Sequence, residues 1–262
     1  MRLHAGLALA IVLAAIVVPC RVFAQDSRPQ PIQELFLTEV VYPQEKGEVQ
    51  ITLGTLVDRS RDDRSALMPL SIEYGLTDRW QIEGSWDGYT QFHENPFGHL
   101  RSARASVGTK YSFMNIAGSR AHASIGVDVE FPDAGAFDDQ GETEIEYEPV
   151  IAAAVDLSRR LTLFGSAGAS FAAHEAATLA DAEDSGTLSA GALIAFRHVT
   201  AALEYTSRSD DLPWRLGGSP LVTPSIVVHP GDQWELGFGM PVGVRAGARR
   251  PGLGVHVIKE FN

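Results

Sequence analysis

From Gly47 to the C-terminus the chain alternates apolar and polar residues with a period of two. Successive side chains of an extended strand point to opposite faces, so this period specifies strands with one apolar and one polar face. In 80–88, Trp80, Ile82 and Trp86 share a face opposite Gln81, Glu83, Ser85 and Asp87. In 121–131, Ile125, Val127, Val129 and Phe131 oppose His122, Ser124, Asp128 and Glu130. In 233–240, Trp234, Leu236, Phe238 and Met240 oppose Gln233 and Glu235. The polar face therefore carries full charges in mid-strand. A dry core does not tolerate such charges unpaired. The expected arrangement has the apolar face outward, toward lipid, and the polar face around a wet interior.

Twelve segments show this pattern, near 48–58, 66–77, 80–90, 101–113, 120–131, 142–157, 160–173, 186–197, 199–208, 220–229, 232–243 and 252–262. Most approach the length a tilted strand needs to cross a bilayer. The tenth is the least regular, because Pro220 and Pro224 interrupt it. Every second connection is short: 77–79, 114–119, 158–159, 197–198 and 230–231. The others, 59–65, 90–100, 132–141, 172–185, 209–218 and 244–251, are longer and polar. Short periplasmic turns alternating with long outer loops are the habit of outer-membrane barrels, and an even count puts both ends on the short-turn side. The expectation is an all-β fold: a transmembrane, antiparallel, up-and-down β-barrel of about twelve strands over 47–262. A soluble β-sandwich or lipocalin-like barrel also alternates. Aromatics toward strand ends, at Tyr74, Trp80, Tyr89, Phe131, Trp234 and Phe261, favour the membrane form, whose interfaces carry such girdles.

The segment before the barrel divides in two. Residues 1–24 have Arg2 and His4, an apolar run over 7–18, then Pro19 and Val22-Phe23-Ala24. A basic start, a short apolar core and a small terminal residue describe a secretory signal peptide cleaved after Ala24. Lipid anchoring through Cys20 is the weaker reading, with Pro19 and bulky Val17 and Val18 before it. Residues 25–46 contain Pro29, Pro31 and Pro43, do not alternate, and read as a periplasmic leader in which 32–42 forms a short ordered piece. Cleavage removes Cys20, the lone cysteine, together with Arg2 and Arg21. The 21 basic residues fall to 19 against 33 acidic ones, and the net charge moves from −12 to −14. Such a chain is not expected to bind nucleic acid, which requires a basic face.

The hairpin Tyr74-Gly75-Leu76-Thr77-Asp78-Arg79-Trp80, with Glu73 before it and Gln81-Ile82-Glu83 after, resembles one found in Gram-negative outer-membrane proteins. Phe36-Leu37-Thr38-Glu39, Pro43 and Lys46-Gly47-Glu48-Val49-Gln50-Ile51 have the same character, and 156–161 and 231–234 echo it weakly. On these residues the chain is similar to the MetA-pathway phenol-degradation family of outer-membrane transporters. That likeness implies a barrel and a transport role, and names no solute. The penultimate place of Phe261 departs from the terminal aromatic that the barrel-insertion machinery reads in such proteins.

With the apolar face toward lipid, the lumen would carry Glu73, Glu83, Asp87, Asp128, Glu130, Glu144, Glu146, Glu148, Asp156, Glu204 and Glu235, against Arg104, Lys110, Arg197 and Arg208. This acidic excess points to a channel or transporter for small solutes that favours cations, because charged rings set pore selectivity. The alternative is a filled scaffold in which the charges pair across strands. A lipid-modifying hydrolase is a further alternative. However, His93, His99, His122, His174, His198, His229 and His256 have no Ser and acid at a spacing that marks a catalytic set. No catalytic residue, cofactor site or metal site is therefore expected. Asp62-Asp63, Asp138-Asp139 and Asp210-Asp211 in outer loops read as solvated acids, with cation bridging to lipopolysaccharide as the sharper option. Gly237 and Gly239 read as small lumen-facing residues. The expected partners are outer-membrane lipids, lipopolysaccharide, the insertion machinery and a small solute.

Overall fold

The computed structural model describes residues 32, 35–59, 64–92, 99–131, 145–172, 185–209, 220–231, 233–244 and 250–261. The signal-peptide segment, the six loop aspartates, His93, His174 and Glu144 lie outside them. The strands are β1 (Val49–Arg59), β2 (Arg64–Thr77), β3 (Trp80–Phe92), β4 (His99–Phe113), β5 (Ala121–Phe131) and β6 (Glu146–Asp156). They continue as β7 (Leu161–Ala172), β8 (Ser185–Ala195), β9 (Val199–Ser209), β10 (Leu221–Gly231), β11 in two segments (Trp234–Gly239 and Val242–Gly243), and β12 (Arg250–Phe261). Each strand pairs antiparallel with the next. β12 returns to β1 with Val49 opposite Phe261 and Gly54 opposite His256, which closes the barrel. An 11-residue strand is about 36 Å long. Tilted by about 40°, it covers roughly 28 Å, enough to cross an outer-membrane apolar band of about 25 Å.

The exterior is apolar. Leu53, Ile72, Val107, Ile125, Ile151, Ile226 and Leu253 are all about half exposed or more. So extensive an exposed apolar surface calls for lipid rather than water. Aromatics bound the band at both ends. Tyr74, Trp80, Tyr111, Phe113, Trp234 and Phe261 lie on the outer face at the short-turn end, and Phe131, Tyr147 and Phe171 at the long-loop end. The Trp80 indole N–H donates to Thr109 Oγ1 at 2.7 Å, so the ring is oriented at its interface. The chain is a closed twelve-stranded β-barrel of the outer-membrane type, and its apolar belt places it in that membrane.

Prolines coincide with gaps in the ladders. Between β1 and β2 the pairing skips from Leu53–Leu70 to Leu56–Leu67, around Pro69. Between β6 and β7 it skips from Tyr147–Phe171 to Val150–Gly168, around Pro149. The tenth strand is complete despite Pro224. The Pro224 carbonyl accepts from Met240 N at 3.0 Å, on the side where β11 is broken at Met240-Pro241. In an antiparallel strand the N–H and C=O of one residue face the same neighbour, so the missing proline N–H falls at that break.

Most bounds shift by one or two residues from expectation, and the largest shift is at β6, which starts at Glu146 rather than near 142.

Candidate functional site

The segment read as a periplasmic leader does not stay outside. Its described part, 35–46, crosses the lumen. Phe36 stacks on the lumen-facing His256 ring, with centroids 4.5 Å apart and planes 8° apart. A Cβ on Gly239 or Gly254 would strike the Phe36 ring, and one on Gly237 would strike His256. These glycines make the space in which the two rings sit. The Glu204 carboxylate on β9 accepts from the backbone N–H groups of Phe36 and Leu37, at 3.3 and 2.9 Å.

The chain then passes to the opposite wall. Lys110 on β4 donates to Glu39 Oε1 at 2.6 Å and to the Val40 carbonyl at 3.1 Å. Ser112 donates to the Val41 carbonyl at 2.7 Å. The Tyr42 hydroxyl donates to Asp156 Oδ1 at 3.1 Å. Asp156 also accepts from Thr162 at 2.6 Å, and its other oxygen lies 3.2 Å from His122 Nε2. The Asn115 backbone N–H donates to His122 Nδ1 at 3.2 Å, which leaves the proton on Nε2, facing Asp156.

Finally, Gln44 docks on β2 and β3. Its N–H donates to Gln81 Oε1 at 3.0 Å and its amide to Glu73 Oε2 at 3.2 Å. The segment leaves the lumen over Gly75, where a Cβ would overlap the Glu45 carbonyl. Gly75 thus has a packing role within the hairpin on which the family likeness rests.

Two consequences follow. Glu73 accepts from the side-chain amides of Gln44, Gln50 and Gln81 at 3.2, 3.2 and 2.7 Å. Glu73→Leu strands three buried donors, each costing about 1–3 kcal/mol. The variant is expected to unfold at clearly lower urea concentration than the parent, read by tryptophan fluorescence of the refolded barrel. Burial, with the Asp156 charge adding to it, pushes the Tyr42 phenol from 10.0 to about 12. The folded form holds the proton more tightly than the unfolded one. The segment's docking is therefore complete below pH 10 and weakens as pH rises through about 12. Protease cleavage of the leader should rise across that window, and Tyr42→Phe should flatten the rise.

Toward the long-loop end, Glu39 forms the floor of a cavity of about 200 Å³. Its charged walls are Glu83 and Asp87 on β3, Arg104 on β4, Asp128 and Glu130 on β5, and Glu148 on β6. Among the described residues, six carboxylates with Glu39 included face one guanidinium. Arg104 Nη1 reaches Glu130 Oε1 at 2.8 Å and stands in register with Asp87. Carboxylate oxygens of Glu130, Glu146 and Glu148 lie within 4.8 Å of one another. Ser170 donates to Glu146 at 2.6 Å. Like charges this close repel unless water, cations or an arginine lie between them.

The expected lumen residues are dispersed over several sites. Glu83, Asp87, Arg104, Asp128, Glu130, Glu146 and Glu148 gather at the chamber, whereas Glu73, Lys110, Glu204 and Asp156 hold the crossing segment. Glu235 pairs with His229 at 3.2 Å near the short-turn end. Arg208 donates to Ser185 at 3.3 Å. Arg197 does not line the lumen, because β8 ends at Ala195 and Arg197 is exposed in the turn that follows. Sequence reasoning missed Phe36, Glu39 and Gln44. The available signal was the cluster of Leu35, Val40, Val41 and Tyr42 in a stretch otherwise read as leader.

No protein-family model matches this chain, and no curated protein does. Among solved structures it overlays on the KdgM porin with a TM-score of 0.58 at 11% identity, covering 81% of this chain and 99% of that one. The KdgM porin in complex with disordered oligogalacturonate overlays at 0.56 and 11% identity, covering 82% and 99%. The CymD monoaromatic hydrocarbon channel overlays at 0.45 and 8% identity, covering 84% and 89%. The KdgM overlays establish a common barrel fold.

Proposed function

We propose that this barrel is an outer-membrane channel for small solutes, with a cation-favouring chamber that its own N-terminal segment closes from below. The observation that carries the reading is the ratio of six carboxylates to one guanidinium around the cavity. Oligogalacturonate, the ligand in one KdgM structure, is a polyanion, and this chamber would repel one. The hairpin at 73–83 supports membership of the MetA-pathway phenol-degradation family, which adds a transport role to the reading. The test is the reversal potential of the mature barrel in a planar bilayer under a salt gradient. A potential of the sign that marks cation passage supports the proposal. Anion selectivity overturns it.

A filled scaffold is the second reading, favoured by the hydrogen bonds that hold 36–44 across the lumen. It requires the barrel to stay silent with the segment removed.

We read the barrel as non-catalytic. His122 and His256 are engaged inside the barrel, by Asp156 and by Phe36. His229 lies 3.4 Å from Thr200 Oγ1, and Thr200 is 1% exposed, which leaves a hydroxyl nucleophile no approach for substrate. A phospholipase assay on the purified barrel should give no turnover above the detergent blank. Contacts with lipopolysaccharide and the insertion machinery belong to the same reading of an exported outer-membrane protein.

A further inference from the structure

The short-turn end of the barrel is basic, in a chain whose net charge is −12. Lys46, Arg79, Arg120, Arg159, Arg160 and Arg197 are all exposed there. Among the described residues, the exposed acids at that end are Glu45 and Asp78. Asp78 accepts from the Lys46 backbone N–H at 3.3 Å. The acids that balance the chain's charge lie elsewhere, many of them in the lumen. The Arg120 guanidinium reaches the Leu157 carbonyl of the neighbouring turn at 3.5 Å, so charges on separate turns form one rim.

The height of this rim is set by the aromatics beside it. Arg79 immediately precedes Trp80, and Arg160 immediately precedes the first residue of β7. Lys259, on the outer face of β12, holds its Nζ 5.0 Å from the Trp234 ring and 5.2 Å from Phe261. It also donates to Gln233 at 2.6 Å. Girdle aromatics sit at headgroup level. Arg79 stands one residue beyond Trp80, and the other arginines lie in the turns of the same barrel end, so the rim faces the phosphates of the periplasmic leaflet. A planar guanidinium pairs bidentately with a phosphate, and basic residues at a bilayer surface gather anionic lipid.

We propose that this rim is a binding surface for anionic phospholipid headgroups of the periplasmic leaflet, with Arg79, Arg120, Arg159, Arg160 and Arg197 as its phosphate ligands. The proposal rests on the barrel crossing the membrane with its short turns in the periplasm. It does not depend on what passes through the lumen.

The test compares the mature barrel with a variant carrying Arg→Gln at those five positions. Both are reconstituted in bilayers of equimolar phosphatidylglycerol and phosphatidylcholine. Lipids that remain bound on extraction are counted by native mass spectrometry. The parent is expected to retain phosphatidylglycerol over phosphatidylcholine several-fold, and the variant to fall to the equimolar bulk ratio. No enrichment in the parent, or equal enrichment in the variant, overturns the proposal. Heat-modifiable migration on gels, and co-flotation with the vesicles, report separately that both proteins are folded in the bilayer. Loss of these would instead count against the membrane-spanning reading.

Discussion

Deleting residues 25–46 is expected to convert a closed barrel into an open pore, with single-channel conductance rising roughly tenfold or more, as a packed lumen gives way to water. The wall survives this deletion because its ladders do not use the deleted segment. β1 begins at Val49 and is paired on both sides, with β2 and with β12. The groups that lose partners, Glu73, Gln81, Lys110, Ser112 and Glu204, line the lumen and exchange the segment for water. Few buried polar groups are therefore stranded, and the variant should refold. A milder variant gives the same direction. Gly254→Leu places a side chain where the Phe36 ring now lies, and should raise the fraction of time the barrel conducts. Bilayer recordings of both variants beside the parent check this expectation. Equal, low conductance in all three would leave the barrel a filled scaffold.

The second large effect is on selectivity. Neutralising Asp128, Glu130 and Glu148 together, as Asn, Gln and Gln, removes three of the five chamber carboxylates that the barrel wall supplies, Glu39 belonging to the crossing segment. A unit charge acting at 4 Å is worth about 1 kcal/mol even in bulk water. Screening and distance weaken this for a passing ion, so the cation-to-anion permeability ratio is expected to drop on the order of tenfold for the three together. Arg104→Gln should move the ratio the other way, because it removes the base that lines the chamber among the described residues. Measured in the open, truncated background, these shifts appear directly in the reversal potential. An unchanged ratio would mean that ions do not pass the chamber.

The barrel wall was legible because every strand separates lipid from water, and that separation writes a period of two into the chain. Even the tenth strand kept the pattern around Pro224, since the break in β11 absorbs the missing donor. Loop lengths added an independent signal. The crossing segment was not legible, for a physical reason. It has no period, because Phe36, Glu39, Tyr42 and Gln44 each meet a different wall. Its partners, Glu204, Lys110, Asp156 and Glu73, lie 168, 71, 114 and 29 residues away in the chain. Contacts of that range leave no local trace. The acidic lumen was visible as a face. Its division into a chamber and a docking strip was not, because neighbouring positions on that face serve both. Arg197 failed as a lumen residue because the turn begins before it.

Closure of a cation-favouring pore by 35–46 is tested most directly by the reversal potential of the barrel lacking 25–46, recorded in a salt gradient beside the full mature chain. The truncated barrel is expected to conduct far more than the full chain, with a potential of the sign that marks cation selectivity. A truncated barrel that folds but stays silent, or that prefers anions, would contradict it.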